Sequence, residues 1–219
     1  MTTPLSLGVL ISGGGTNLQA IIDAIERGAL PARIRIVVSN RRDAYGLVRA
    51  ARHGLSTGVI AHTDFASREE FDRHLVTLLH EHGVELVILA GFMRLLSARF
   101  IRAFPHRILN IHPALLPAFP GLHAQRQALE RGVRISGATV HLVDEEMDHG
   151  PIIMQAAVPV YPDDTEDSLS ARILAQEHRI YPAAIKLFAE GRVGVRGNSV
   201  LIRDEHHRPQ TGFQSPAAV

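Results

Sequence analysis

Asn110 and His112 stand two residues apart in Leu109-Asn110-Ile111-His112-Pro113, at the end of a run of branched apolar residues. Side chains alternate along an extended chain, so both point to one face. A carboxamide donor beside an imidazole suits the polarisation of one carbonyl oxygen and the stabilisation of an oxyanion. The same two residues also suit a turn tie and a hydrogen-bonded core histidine, and their spacing alone does not choose. Asp148 is the other candidate, in the acidic loop Asp144-Glu145-Glu146-Met147-Asp148-His149-Gly150. Brought beside His112, its carboxylate would pair with the imidazolium and relay a proton through water. Left apart, the loop is a solvated hairpin tip.

A second chemistry is written in Ser12-Gly13-Gly14-Gly15-Thr16-Asn17, between a strand-like run and a helix-like one. Glycines let the backbone approach a ligand and turn its amides toward an anion at a helix N-terminus. The dinucleotide fingerprint fails, because Leu18 occupies the place of its third glycine and Ser39-Asn40-Arg41-Arg42 offers no acid for a ribose. The triphosphate loop fails too, for want of Gly-Lys-Ser/Thr. Two readings remain: a cradle for one phosphate monoester, or a tight turn that packs the first helix on the sheet. Glu85 to Ser97 runs through Gly91 into an apolar turn carrying Arg94. That turn is either a helix entry or one wall of a slot for a flat heterocycle.

These groups need a scaffold that gathers strand ends. Leu5 to Ile11, Ile34 to Ser39, Thr57 to Ala61, Glu85 to Ala90 and Arg107 to Ile111 read as strands, nearly continuous in Val, Ile and Leu. Strands covered on both faces have that composition. Helical patterns separate them at Asn17 to Arg27, Tyr45 to His53, Ser67 to His82 and Ala98 to Phe104. Ser67 and Glu70 have the spacing of a capping box. The alternation predicts an α/β fold, a doubly wound, mostly parallel sheet with helices on both faces and ligands at the C-terminal strand ends. A Pro-rich loop, Pro113 to Pro120, then precedes a short helix, Ala124 to Glu130. Ser136 to Val143 and Ile152 to Val160 read as two last strands, partly antiparallel, and Thr165 to Glu190 as a helix kinked at Pro182. The tail from Arg203 is polar and expected to be loosely ordered. This divides the chain into one domain, 1–192, and an extension, 193–219, expected to be partly disordered.

Composition narrows the partners. The 219 residues carry 23 Lys and Arg against 22 Asp and Glu, a formal net charge of +1, which gives no electrostatic pull toward nucleic acid or an anionic membrane. No apolar run is long enough to span a bilayer, and the start Met1-Thr2-Thr3-Pro4 lacks the basic region of a signal peptide. The absence of cysteine excludes thiolate catalysis and thiolate metal sites and fits a cytoplasmic setting. The thirteen histidines show no metal-ligand spacing in a coherent element, and His206-His207 falls in the polar tail. No metal is expected.

The chain resembles the phosphoribosylglycinamide formyltransferase family, folate-dependent enzymes of purine synthesis. The resemblance rests on Leu10-Ile11-Ser12-Gly13-Gly14-Gly15-Thr16-Asn17-Leu18-Gln19-Ala20-Ile21-Ile22, Leu89-Ala90-Gly91-Phe92-Met93-Arg94 and Leu109-Asn110-Ile111-His112-Pro113-Ala114-Leu115-Leu116-Pro117. It continues in Pro120-Gly121-Leu122-His123 and Asp148-His149-Gly150-Pro151, and runs from Ser6 to Arg192. It implies a Rossmann-like formyltransferase fold, with a phosphate-binding half at about 1–105 and a folate and catalytic half at about 106–192. It also implies transfer of a formyl group from 10-formyltetrahydrofolate, as co-substrate, to the amine of 5′-phosphoribosylglycinamide. By the family pattern Asn110, His112 and Asp148 are catalytic. Gly15, Thr16 and Asn17 would hold the phosphate, Gly91 would lie near the substrate, and Gln176 and Glu177 would reach its phosphate and ribose. Arg68, Met93, Arg94, Leu95, Leu96 and Asn110 would line the folate site, with Asp144, Glu145, Glu146, Met147 and Asp148. Two departures stand out: Gly14 replaces a frequent Asn, and Ala124-Gln125 lacks a second His.

The implied chemistry needs no enzyme nucleophile, because an amine with a reference pKa near ~8 keeps some free base at neutral pH. Partners are then small molecules, with no nucleic acid or membrane, and the chain is expected as a monomer or homodimer. Three alternatives compete. A formyltetrahydrofolate hydrolase would use the same three residues on water, but strand one begins within a few residues of Met1, where such hydrolases carry a regulatory domain. A methionyl-tRNA formyltransferase would want a further C-terminal domain and a basic surface. A silent phosphate-binding module would keep Gly13 to Asn17 and have no use for Asn110, His112 and Asp148.

Overall fold

The computed structural model describes residues 3–204. Its first strand, β1 (Leu5–Ile11), is buried throughout, as its continuous apolar run requires. Leu5, Leu7, Val9 and Ile11 join one core, and Leu10 joins the core on the opposite face. Gly8 stays small because a Cβ there would lie 2.7 Å from Leu79 and 2.9 Å from Val84. Helix α1 (Thr16–Glu26) follows, with Leu18, Ile21 and Ile22 on its buried stripe. The next pairs are β2 (Ala32–Ser39) with α2 (Tyr45–Arg52), and β3 (Thr57–Val59) with α3 (Arg68–Glu81). After these come β4 (Leu86–Leu89), α4 (Ala98–Ala103) and β5 (Ile108–His112).

The sheet order is β3-β2-β1-β4-β5-β6-β7, where β6 is Ile135–Leu142 and β7 is Ile152–Pro159. Pairings from β3 across to β5 are parallel, and β6 and β7 pair antiparallel. This is the expected doubly wound class. The chain reverses its direction of growth between β1 and β4, so their C-terminal ends open a crevice. Helices α1, α5 (Ala124–Glu130) and α6 (Glu166–Ala189) supply apolar residues to one core. Helices α3 and α4 supply Phe71, Leu75, Leu79 and Phe100 to the other, with Phe104 just after α4.

Several boundaries differ from the sequence reading. β3 ends at Val59, two residues short of the expected Ala61, and a 3₁₀ turn, His62–Asp64, follows. β5 extends one residue beyond the expected Ile111 and ends on His112. The Ser67 hydroxyl accepts the Glu70 amide at 3.1 Å, but the Glu70 carboxylate accepts from Ala66 N at 3.3 Å. The capping box thus closes one residue upstream of its usual partner. α6 continues past Pro182 to Ala189, capped by Thr165 and Ser168. Tyr181 beside it donates its hydroxyl between the carbonyls of Leu89 and Leu109, each at 3.0 Å, and so fixes α6 beneath β4 and β5.

The extension expected at 193–219 begins as an antiparallel hairpin, β8 (Val193–Arg196) with β9 (Ser199–Ile202). Val193, Val195 and Val200 pack on the main core, an alternation too short to read confidently against a polar flank. The polar tail, His206 and His207 included, lies outside the described residues from position 205 onward. Among the described residues no helix is long and apolar enough to cross a membrane.

Candidate active site

The crevice between β1 and β4 is floored by the glycine loop. Gly15 takes φ +70°, a left-handed conformation that favours glycine, and stands at the N-cap of α1 without a side-chain cap. The first amides of α1 therefore have no side chain closing over them. A cavity of about 540 Å³ opens above, bordered by Gly15, Thr16, Asn17, Gly91, Met93 and Arg94. Gly91 follows β4, takes φ +74°, and its carbonyl accepts from Ser12 N at 3.0 Å. The Ser12 hydroxyl donates to Asn40 Oδ1 at 2.6 Å and accepts from Met93 N at 2.8 Å. Arg41 and His62 also border the cavity. His62 was not singled out from the sequence, and Ser12, Asn40 and Arg41 were quoted only within longer stretches and given no role of their own, since a polar residue at a strand end carries no signal until the sheet order is known.

On the far wall, Asn17 Nδ2 donates to Glu177 Oε2 at 2.7 Å across 160 residues of sequence. Burial pushes the Glu177 carboxyl above its usual range, against the opposing hydrogen bond from Asn17. Asn17 Oδ1 is buried without a partner. This wall therefore holds an acceptor that lacks a donor, beside a carboxylate with one protein donor. Gln176 is not part of it. One residue along a helix turns the side chain by about 100°, and Gln176 instead accepts from Arg179 at 3.3 Å.

One strand further along the sheet, Asn110 on β5 pairs in register with Leu89 on β4, which leads directly into Ala90 and Gly91. The cavity itself stops short of this second cluster. His112 is 4% exposed, and its Nε2 lies 2.8 Å from the Phe119 carbonyl, which can only accept. Nε2 therefore carries a proton. His112 Nδ1 faces Asp148 Oδ2 at 3.4 Å. Asp148 holds φ +53° and accepts the Gly121 amide on Oδ2 at 2.7 Å. Its Oδ1 lies 3.5 Å from Asn110 Nδ2. The structure thus gathers Asn110, His112 and Asp148, although the loop carrying Asp148 reads as acidic and solvated.

His141 joins them, and sequence reasoning passed over it. It is the register partner of Asn110 across the antiparallel β5 and β6 pair. Its Nδ1 donates to the Leu142 carbonyl at 2.8 Å, and its Nε2 lies 3.1 Å from Asn110 Nδ2. Burial lowers its pKa. The neutral ring, with its proton on Nδ1, offers Nε2 as acceptor and so sets the orientation of the Asn110 carboxamide. Beneath the site, the Thr139 hydroxyl donates to Ala114 O at 2.7 Å and accepts from Leu116 N at 3.0 Å. These bonds fix the Pro-rich loop, whose Leu116–Pro117 peptide is cis.

The residues assigned to folate divide. Met93 and Leu95 expose 67% and 56% of their surface, and Leu122 and Met147 expose 70% and 56%. Met147 lies over Gly121, 3.5 Å from the position of a Cβ there. Such apolar surface around a polar centre suits a flat aromatic ligand. Leu96 packs instead on the α3–α4 core. Arg94 stacks its guanidinium over Phe71 at 5.5 Å. Arg68 sits on the first turn of α3, one turn before Asp72, whose Oδ2 accepts from Ser97 N at 2.6 Å. Arg68 itself is exposed and paired only loosely with Glu69 at 3.8 Å. Asp144, Glu145 and Glu146 do not reach the centre: Asp144 binds His149 at 2.8 Å, Glu145 pairs with Arg102 at 3.3 Å, and Glu146 is exposed. Among the described residues no group of three His, Asp or Glu side chains could hold a metal ion.

Residues 6–185 match the family model described as Formyl transferase. The chain belongs to this formyl transferase family. It is 46% identical to the phosphoribosylglycinamide formyltransferase of Escherichia coli (strain K12) over 206 residues, 94% of this chain and 97% of that protein. It is 52% identical over 187 residues to the trifunctional purine biosynthetic protein adenosine-3 of Drosophila melanogaster, covering 84% of this chain and 14% of that longer protein. Among solved structures, glycinamide ribonucleotide transformylase 1 from Symbiobacterium toebii superposes with a TM-score of 0.92 at 55% identity, over 93% of this chain and 96% of that one.

Proposed function

We propose that the chain transfers a formyl group from 10-formyltetrahydrofolate to the amine of 5′-phosphoribosylglycinamide, giving formylglycinamide ribonucleotide and tetrahydrofolate, a step of purine biosynthesis. The observation that carries this reading is the convergence of Asn110, His112 and Asp148 one strand away from an uncapped glycine cradle. Backbone amides of Gly15, Thr16 and Asn17 hold the phosphate at the helix N-terminus. Glu177 and the unpartnered Asn17 Oδ1 accept hydrogen bonds from the ribose hydroxyls. Gly91 lets the glycinamide pass close to the backbone. The apolar side chains of Met93, Leu95 and Met147 cover the folate ring, with Arg68 at the rim.

The folate supplies the formyl group when bound. Both longer contacts of the centre, Asn110 Nδ2 at 3.5 Å and His112 Nδ1 at 3.4 Å, end on Asp148. They are the donors a formyl oxygen can capture as negative charge develops on it. The shorter bonds, to His141 and to Phe119, keep both side chains aimed meanwhile. One such donor is worth about 3–4 kcal/mol in the transition state. Asp148, freed from these two donors, takes the proton of the attacking amine directly or through a water and returns it to the departing folate nitrogen as the bond between that nitrogen and the formyl carbon breaks.

The test mixes purified protein with 10-formyltetrahydrofolate, with and without phosphoribosylglycinamide, and follows folate absorbance. Acceptor-dependent turnover is expected. Turnover without acceptor would make the chain a hydrolase, and no turnover would make it a binding module.

A further inference from the structure

The glycine loop is held from behind by α2. Gly46 N donates to the Gly13 carbonyl at 2.9 Å, and Arg49 Nε donates to the Gly14 carbonyl at 2.8 Å. The fit is close: a Cβ on Gly46 would lie 3.2 Å from Gly15 Cα, and one on Gly15 would lie 2.7 Å from Gly46 Cα. In a planar trans peptide the N–H points opposite to the C=O. Fixing the Gly13 and Gly14 carbonyls against α2 therefore turns the Gly14 and Gly15 amides the other way, toward the cavity that both residues border. Arg49 is itself held, with Nη1 3.4 Å from Gln19 Oε1 and its guanidinium 5.1 Å above the Tyr45 ring.

We infer that Arg49 is a positioning residue for phosphate recognition, acting through the Gly14–Gly15 peptide. A cation on the carbonyl end of a peptide polarises it and strengthens its N–H as a donor. Arg49 thus both aims the Gly15 amide and makes it a better partner for a dianion, without reaching the formyl chemistry. The inference rests on the phosphate assignment made above.

The experiment compares wild type, Arg49→Met and Arg49→Lys with phosphoribosylglycinamide and with its dephosphorylated counterpart as acceptors. For Arg49→Met the KM of the phosphorylated acceptor rises about tenfold, the value of one charge-assisted hydrogen bond, while kcat and the folate KM stay within about twofold. Arg49→Lys, which keeps the charge, recovers part of the loss. With the dephosphorylated acceptor, kcat/KM is the same in wild type and Arg49→Met. Equal losses on both acceptors would mean that Arg49 only supports the fold, and no loss on either would mean that the loop needs no clamp. Either result overturns the inference. A wild-type enzyme that fails to distinguish the two acceptors would instead overturn the phosphate assignment itself.

Discussion

Asn110 and His141 face each other as register partners across β5 and β6, with Asn110 Nδ2 3.1 Å from His141 Nε2. Because His141 Nδ1 is committed to the Leu142 carbonyl, only the neutral ring can accept from Asn110. Burial lowers the His141 pKa and so favours that neutral form. The carboxamide that the proposed mechanism uses is thus oriented by a histidine outside the mechanism.

His141→Leu is expected to lower kcat by about tenfold, as loss of an orienting partner commonly does, with little change in the KM of the phosphorylated acceptor. Steady-state kinetics checks it. The pH dependence of stability gives a second readout. With the folded-state value below the unfolded one, the unfolded chain alone takes up a proton between them, so stability falls as pH drops below about 6.5. Urea denaturation across that window should show a shallower fall in the variant.

His112→Ala removes a proposed oxyanion donor and is expected to reduce kcat by about 10²–10³, with only a modest change in folate affinity. Turnover near the wild-type level would remove His112 from the chemistry.

Asp148→Asn keeps an oxygen for the Gly121 amide, which is now bound at 2.7 Å, but abolishes the carboxylate as proton acceptor. The pH–rate profile should flatten along with a fall in turnover. A profile of unchanged shape would assign Asp148 a structural part only.

Asp164 and Arg172 form the best-satisfied ion pair away from the site, two bonds of 2.7 and 2.8 Å, with Asp164 only 4% exposed. The Arg172 guanidinium holds the Asp164 carboxyl far below the usual carboxylate range. A depressed carboxylate stabilises the fold fully above its unfolded value of about 3.9 and loses that contribution as pH falls below it. Asp164→Ala should cost about 2 kcal/mol by removing charge-assisted bonds from an Arg172 guanidinium that stays partly solvated and keeps the Pro159 carbonyl, measured by urea unfolding at neutral pH. The wild-type advantage should shrink in acid.

The alternation of strands and helices is legible along the chain because period and composition are local properties, and so is the glycine loop, whose chemistry lies in consecutive residues. Asn110 and His112 share a face through strand geometry alone. What the linear chain left open is contact across long separations. Asp148 and His141 reach Asn110 only after β5 and β6 pair antiparallel and the Asp148 loop folds back over Gly121. The phase of α6 selects Glu177 over its neighbour Gln176, and its docking under β4 and β5 brings it to Asn17. Arg49 meets Gly14 because Gly46 permits α2 to approach. Local preference fixes which way a side chain leaves its own backbone; which other backbone it meets is set by register and packing, to which distant residues contribute equally.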